Sequence, residues 1–290
     1  MKRLFIAWCV LMLVSCEKLL VPDTSSAKGI EDDANVTLTF MPYKTDFTRA
    51  ASPLSDQMGR LSAAIFKTDG TKVKSVTQKH DDAGFGGISV SLAAGTYKVV
   101  AIAHNGDGTA TITSAEKVTF ANNKVTDTFA YYGTLEVDEE PVDKELQMQR
   151  CVAMVRLTVN DNIPAEVQRL KFYYTGGSST YNPTTGYGCV NSKQTEYRYT
   201  RNDDGIGVNQ YDIYTMPHEL NDELKIVISA LDSDGGTLYE WTMDNVPVTR
   251  NKITTWTGSL FGDGPGGAIT QGGITLTLDT AWDGTLKYNW

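Results

Sequence analysis

Side chains that commonly carry catalysis or hold metals are sparse in this sequence. There are three histidines, His80, His104 and His218, and none lies at metal-ligand spacing from another histidine or a cysteine. The sequence contains no nucleophile elbow, phosphate-binding loop or dinucleotide fingerprint. A glycosidase needs two carboxylates that the fold brings together, and the pattern of 35 acidic residues neither supports nor excludes such a pair. We therefore predict a protein that is not an enzyme and that uses no metal or cofactor.

Cys16 is the residue whose position predicts a modification. A positively charged start at residues 2–3 precedes an uncharged, largely apolar run over residues 4–15. Twelve helical residues reach about 18 Å, well short of the roughly 30 Å hydrocarbon core of a membrane. The run is therefore too short to span a membrane and is typical of a secretory signal peptide.

The residues before Cys16 favour lipidation over simple cleavage. Residues 13–16 read Leu-Val-Ser-Cys, which resembles the lipobox of bacterial lipoproteins, where the cysteine is acylated and becomes the new N-terminus. Each buried methylene contributes about 0.8 kcal/mol, so several acyl chains on one cysteine can hold a protein on a membrane. The alternative is an ordinary signal peptide with an incidental cysteine. We predict a signal peptide over residues 1–15 and a lipid on Cys16.

Charge and cysteine content limit the partners of the chain. The formal net charge is −9, and an acidic chain repels phosphate backbones, so we predict no nucleic-acid partner. Beyond Cys16 the mature chain has only Cys151 and Cys189. Their spacing leaves open whether they form a disulfide in an oxidising compartment or remain separate buried thiols.

Alternating apolar and polar residues predict many short strands joined by glycine turns. A long candidate, residues 146–159, is apolar on both faces and is predicted to be a central strand. The nearest approach to an amphipathic helix, residues 164–170, is no longer than two turns. These patterns favour an all-β fold built from two antiparallel β-sandwiches. The further predicted strands cover residues 35–40, 61–66, 88–92, 97–103, 117–120, 125–132, 169–174, 223–231, 237–243, 251–261 and 273–278.

The predicted domains are separated by a charged segment. Residues 16–34 are polar and without period, which indicates a flexible tether. Residues 138–145 read DEEPVDKE and predict a boundary between an N-terminal domain over 35–140 and a C-terminal domain over 146–290. The alternative is a charged loop inside one larger domain.

Aromatic residues offer two further hypotheses. The tyrosine-rich stretch 172–188 predicts either an adaptable contact surface or an ordered loop that packs on a sandwich. A surface glycan-binding lipoprotein is the alternative function, and it requires exposed tryptophans in a concave face, most plausibly Trp241 or Trp256. Strand tryptophans, however, more often lie in the core.

Four stretches in order along the chain resemble a known family. They read LAAGTYKVVAIAHNG (92–106), LQMQRCVAMVRLTV (146–159), KFYYTGGSSTYNPTTGYGCVNSKQTE (171–196) and VPVTRNKITTWTGSLF (246–261). Together with the lipobox they are similar to the FimB-type fimbrial subunits of type V fimbriae, an outer-membrane lipoprotein family of Gram-negative gut and oral bacteria. The resemblance covers roughly residues 36–261, and none of its motifs is catalytic.

The resemblance implies two tandem transthyretin-like β-sandwich domains and a role in a fimbria on the outer membrane. In stalk subunits of such fimbriae, an arginine-specific protease removes the first strand, and a strand from the next subunit fills the groove. Anchor subunits keep their lipid instead. Carried onto this sequence, the protease site falls at Arg49 and Ala50. The strand-exchange residues are Val36, Leu38 and Phe40 in the first strand and Ile274, Leu276 and Leu278 in a donated C-terminal strand over 273–290. The predicted partners are other fimbrial subunits and the outer membrane, with any host or glycan ligand left open.

Overall fold

Antiparallel and parallel strands make up almost all of the regular structure. The computed structural model describes residues 29–31, 33–42, 54–202 and 205–262, and no α-helix occurs among them. No helix in these ranges is therefore long and apolar enough to cross a membrane. The strands are β1 (Val36–Pro42), β2 (Arg60–Lys67), β3 (Lys72–Lys79), β4 (Gly87–Val90), β5 (Gly95–His104), β6 (Thr111–Ser114), β7 (Lys117–Thr119), β8 (Thr128–Val137), β9 (Val142–Arg150), β10 (Ala153–Val159), β11 (Arg169–Thr175), β12 (Thr180–Asn182), β13 (Tyr187–Gly188), β14 (Gln194–Tyr199), β15 (Gln210–Thr215), β16 (Asn221–Leu231), β17 (Thr237–Thr249) and β18 (Ile253–Gly258). Two single-turn 3-10 helices, η1 (Leu54–Asp56) and η2 (Ala121–Asn123), complete the regular elements.

The first half of the chain wraps seven strands around one apolar core. Their order is β3-β2-β5-β8-β9-β1-β4, and β8 joins β9 through a short stretch, Phe129 against Arg150 and Ala130 against Gln149. This short contact lets the two parts of the sheet face each other across the core. Buried side chains from β1, β2, β4, β5, β8 and β9 fill the space between them.

The second half repeats this plan with two separate sheets. One has the order β15-β10-β18 and the other β14-β11-β16-β17. A second apolar core lies between them and includes Trp241, Trp256 and Phe261. A third core joins the halves, because β12 of the second half pairs with β7 of the first, and residues such as Val100, Cys151 and Ile253 pack together there.

Three details differ from the sequence prediction. The predicted single strand over 146–159 is two strands, β9 and β10, separated by Cys151 and Val152. β9 begins inside the charged segment 138–145 and pairs with β1, so that segment lies within the first sheet. The predicted purely antiparallel pairing is also wrong, because β1–β9 and β10–β18 are parallel. Both parallel pairs join strands far apart in sequence, as the long crossover of parallel strands requires.

His104, at the end of β5, makes the stability of the first half sensitive to pH. Burial, with the charge of Arg60 as a smaller cause, lowers the pKa of His104 from 6.5 to about 4. The unfolded chain therefore binds a proton below about pH 6.5 that the folded chain does not, and stability is lost as the pH falls toward 4. We expect urea unfolding to show a loss of about 2 to 3 kcal/mol between pH 7.5 and 4.5. His104→Gln should flatten this dependence, whereas an unchanged slope would refute the assignment to His104.

Candidate strand-exchange site

The predicted removable strand is a complete strand of the first half. In β1 the side chains of Val36, Leu38 and Phe40 are 0%, 0% and 1% exposed, and they all lie in the first core. The intervening Thr37 and Thr39 are half-buried on the other face. Burying each apolar side chain contributes about 1.5–3 kcal/mol, so β1 is a major part of this core.

Backbone pairing holds β1 on both sides. It pairs in parallel with β9 from Val36 opposite Val142 to Pro42 opposite Met148. On its other side it pairs antiparallel with β4, from Val36 opposite Val90 to Thr39 opposite Gly87. Loss of β1 would therefore leave unpaired backbone groups on two strands and an apolar slot between them, which is the kind of groove that an added strand fills.

Residues ahead of β1 are also attached, and one of them, Glu31, lies in the predicted flexible tether over 16–34. The side-chain amide of Asn35 donates to the carbonyl of Leu92 at 2.8 Å and accepts the amide of Leu92 at 2.9 Å. Glu31 accepts a hydrogen bond from Lys74 at 2.7 Å and from the amide of Ser91 at 2.6 Å. The Lys74 contact is the largest cause that lowers the pKa of Glu31. Sequence pattern could not reveal these contacts, because their partners lie far along the chain.

Gly29 shows how closely this segment approaches the first half. Its φ is +91°, and a Cβ placed there would lie 2.5 Å from Cγ1 of Val76 in β3. Its carbonyl accepts the amide of Ser89 at 2.6 Å. The attached part of the chain therefore includes residue 29.

The segment after β1 rejoins the same core. Leu54 of η1 and Met58 are 2% and 3% exposed and pack in the first core. The predicted protease site, Arg49 and Ala50, lies outside the described residues, as do Cys16 and the predicted donor residues Ile274, Leu276 and Leu278. The described residues on both sides of residues 43–53, namely β1 and η1 with Met58, pack in the first core.

A carboxylate fixes the last described residues of the chain. Asp161 accepts the amides of Leu260, Phe261 and Gly262 at 3.0, 2.6 and 2.8 Å. Phe261 packs edge-on against Trp241, with ring centroids 5.3 Å apart. Residues 260–262, which precede the predicted donor strand in the sequence, are therefore fixed beside the end of β10.

Replacing Asp161 should remove the contacts that fix residues 260–262 and destabilise the protein. Bonds from backbone amides to a carboxylate are charge-assisted, so we expect Asp161→Ala to lower the free energy of unfolding by about 2 kcal/mol. Asp161→Asn keeps one acceptor oxygen and should lose less. Denaturant titration followed by tryptophan fluorescence measures both effects, and equal stability of Asp161→Ala and the unsubstituted protein would refute the role given to this carboxylate.

The other sequence hypotheses have plain outcomes. Trp241 and Trp256 are 7% and 5% exposed, so the glycan-binding hypothesis that required them exposed is wrong for these residues.

Cys151 and Cys189 are both free thiols. The tyrosine-rich stretch 172–188 contains β12 and β13 and is ordered, with Tyr174 and Tyr181 buried. Among the described residues no group of three or more potential ligands could hold a metal ion.

The sequence of the chain matches a family of fimbrial proteins. A family model described as fimbrillin-A associated anchor proteins Mfa1 and Mfa2 matches residues 25–282. The chain belongs to this family. The match confirms the predicted likeness to fimbrial anchor subunits, and it spans all of the described strands. No curated protein sequence matches the chain.

Solved structures are similar to this chain at low sequence identity, and the two with a TM-score above 0.5 show the same fold. A candidate polysaccharide-binding protein from Bacteroides thetaiotaomicron is 11% identical with a TM-score of 0.55, covering 88% of this chain and 98% of that one. A candidate adhesin from Bacteroides ovatus is 11% identical with a TM-score of 0.52, covering 88% and 95%. The fimbrial anchor protein Mfa2 from Porphyromonas gingivalis is 12% identical with a TM-score of 0.43, covering 77% and 89%.

Proposed function

We propose that this protein is a non-enzymatic, lipid-anchored subunit of a fimbria on the outer membrane, joined to other subunits by β-strand donation. The family match over residues 25–282 carries the fimbrial part of the proposal. While β1 occupies its groove, the subunit can donate a strand but cannot accept one, and the anchor role requires that β1 is retained. A subunit that donates a strand but accepts none ends a head-to-tail polymer and cannot extend it.

The position of β1 relative to Cys16 supports attachment at the base of the fimbria. Thirteen residue steps separate Cys16 from Gly29 and limit the tether to about 45 Å. The chain from the lipid would then enter the first core directly through the Glu31 and Asn35 contacts. Cleavage at Arg49 would leave the lipid joined to the body only through the noncovalent contacts of residues on the lipid side of the cut, including β1, Glu31 and Asn35, and dissociation of that segment would release it.

We propose in addition that the two cores belong to two tandem transthyretin-like domains. The support is the repeated plan of two facing layers of strands around one core, formed by one continuous sheet in the first half and by two separate sheets in the second. Because β9 pairs with β1 and β10 pairs with β15, we place the division at Cys151 and Val152 and not within 138–145.

Donation by residues 273–290 can be tested with substitutions on alternate faces of the predicted donor strand. One variant replaces Ile274, Leu276 and Leu278 by Asn, and its matched control replaces Thr275 and Thr277 by Asn. Because alternate side chains of an added strand enter the groove, the first variant should shed fimbriae into the medium while the control retains them. Equal retention by both variants, at equal protein levels, would contradict strand donation by this segment.

A further inference from the structure

A groove at the junction of the two halves lies apart from the strand-exchange site. It has a volume of about 480 Å³, with Asn122, Asn123 and Lys124 from η2 and its following residue on one side and residues 193–198 on the other. η2 follows β7 of the first half, whereas β14 is the edge strand of a sheet in the second half. Clefts between such units are frequent ligand sites, and this volume falls within their usual range.

The charge of the groove is opposite to that of the whole protein. Its lining includes Lys124, Lys193 and Arg198 against a single carboxylate, Glu196, in a chain with a net charge of −9. Glu196 is already engaged by Arg198 and by the hydroxyl of Tyr174 at 2.8 Å. Beyond the lining, the carboxylate of Asp107 lies 3.9 Å from Lys124 and is 98% exposed, so water screens it. The groove is therefore suited to an anionic ligand.

A buried amide gives a second, independent indication of a ligand. Gln194 lines the groove and is 4% exposed. Its Nε2 donates to the carbonyl of Asn123 at 3.4 Å, and its Oε1 has no hydrogen-bond partner within the described part of the chain. A buried acceptor left unpaired is costly, so a small shift of the Gln194 side chain that brings Oε1 to a ligand hydroxyl in the groove would be favoured.

The remaining lining is suited to a sugar. Asn122 and Asn123 are exposed in left-handed backbone conformations, with φ of +56° and +54°. Their amides offer both donors and acceptors to hydroxyl groups. Tyr197 also lines the groove and is 52% exposed, although the guanidinium of Arg169 lies over its ring at 5.4 Å from the centroid.

Backbone geometry argues against a peptide strand as the ligand. A peptide would add to the open edge of β14 through its outward backbone groups. The carbonyl of Tyr197 accepts a hydrogen bond from Arg198 at 3.0 Å, and Arg198 also donates to the carbonyl of Asp212 at 2.8 Å. These contacts would have to break before a strand could pair, whereas a ligand bound by side chains leaves them in place.

We propose that this groove binds an acidic oligosaccharide. Lys124 and Lys193 contact its carboxylate or sulfate groups, and Gln194 and Asn123 contact its hydroxyls. The proposal does not depend on strand donation or on the lipid anchor, and it names a site distinct from the buried tryptophans.

Binding can be measured by calorimetry on the mature protein with four probes. These are tetragalacturonate, a chondroitin sulfate tetrasaccharide, neutral maltotetraose and hexaglutamate. We expect one or both acidic sugars to bind, and Lys124→Gln with Lys193→Gln to weaken that binding by about tenfold. The matched control, Lys98→Gln with Lys225→Gln, makes the same change of charge outside the groove and should alter the Kd by less than about twofold. Because chondroitin sulfate carries both carboxylates and sulfates, binding of it without binding of tetragalacturonate would indicate sulfate recognition, whereas binding of both would indicate that carboxylates suffice.

Asn123→Gly separates sugar recognition from simple charge attraction. Glycine adopts the same left-handed conformation without strain, so only the side chain is lost. This variant should weaken the acidic sugar by at least about threefold and leave any binding of hexaglutamate unchanged. The proposal is overturned if neither acidic sugar binds at millimolar concentration, if hexaglutamate or maltotetraose binds as tightly, or if the double lysine variant binds normally.

Discussion

A chain that lacks residues 1–42 should fail to fold its first half until β1 is supplied as a separate peptide. Deletion removes Val36, Leu38 and Phe40 from the core, at about 1.5–3 kcal/mol each, together with the pairing to β4 and β9. That sum is comparable to the whole stability of a typical domain. Addition of a peptide spanning residues 29–42 should restore slow hydrogen exchange in β5 and β8, because the peptide completes both the core and the ladder.

Two peptide variants make this experiment specific. Leu38→Asp places a charge at a fully buried position and should abolish the rescue. Thr39→Asn lies on the half-buried face and should preserve it. A truncated protein with native hydrogen exchange and no peptide would refute the view that β1 is required, and rescue by the Leu38→Asp peptide would refute the proposed packing.

Replacing Cys16 by Ser should remove the protein from the outer membrane. The thiol is the predicted acylation site, and the acyl chains supply the membrane affinity, so we expect loss of incorporated palmitate and at least about a tenfold fall in the outer-membrane fraction. Cys189→Ser is the matched control, because Cys189 is an exposed free thiol elsewhere in the chain. Retention of labelled palmitate in the Cys16→Ser variant would contradict lipidation at this residue.

Alternation of apolar residues was sufficient to predict strands such as β1, β2, β5 and β16, because each places alternate apolar side chains in a core. In β2 and β5 the opposite face is buried as well, in the third core. It missed β14, where the inward residues are Gln194 and Glu196. Glu196 is buried in that position because it bonds to Tyr174 and Arg198. A pattern that counts polar residues as exposed could not find such a strand.

The stretch 146–159 shows a different limit. It is apolar on both faces because its side chains pack in three different cores. Leu146 and Met148 lie in the first core, and Val155 and Leu157 lie in the second. Cys151, Val152 and Met154 lie in the third. Sequence pattern alone favoured one central strand. The change of sheet at residues 151–152 depends on distant partners that the local sequence does not reveal.

The candidate site was predictable in part. Val36, Leu38 and Phe40 were identified from their alternation and from the family resemblance, and they are buried in the first core. The contacts of Glu31, Asn35 and Asp161 were missed, because each is a polar residue in a loop whose partner lies at least about 40 positions away.

The intact mass of the mature protein from outer membranes, before and after an arginine-specific protease, tests the anchor role most directly. Our account predicts a chain that begins at acylated Cys16 and keeps residues 16–49 after protease treatment. A chain that begins at Ala50 would contradict the anchor role and indicate a polymerising subunit with its first strand removed. A chain that begins near residue 16 without acyl groups would contradict both the lipid anchor and the membrane location.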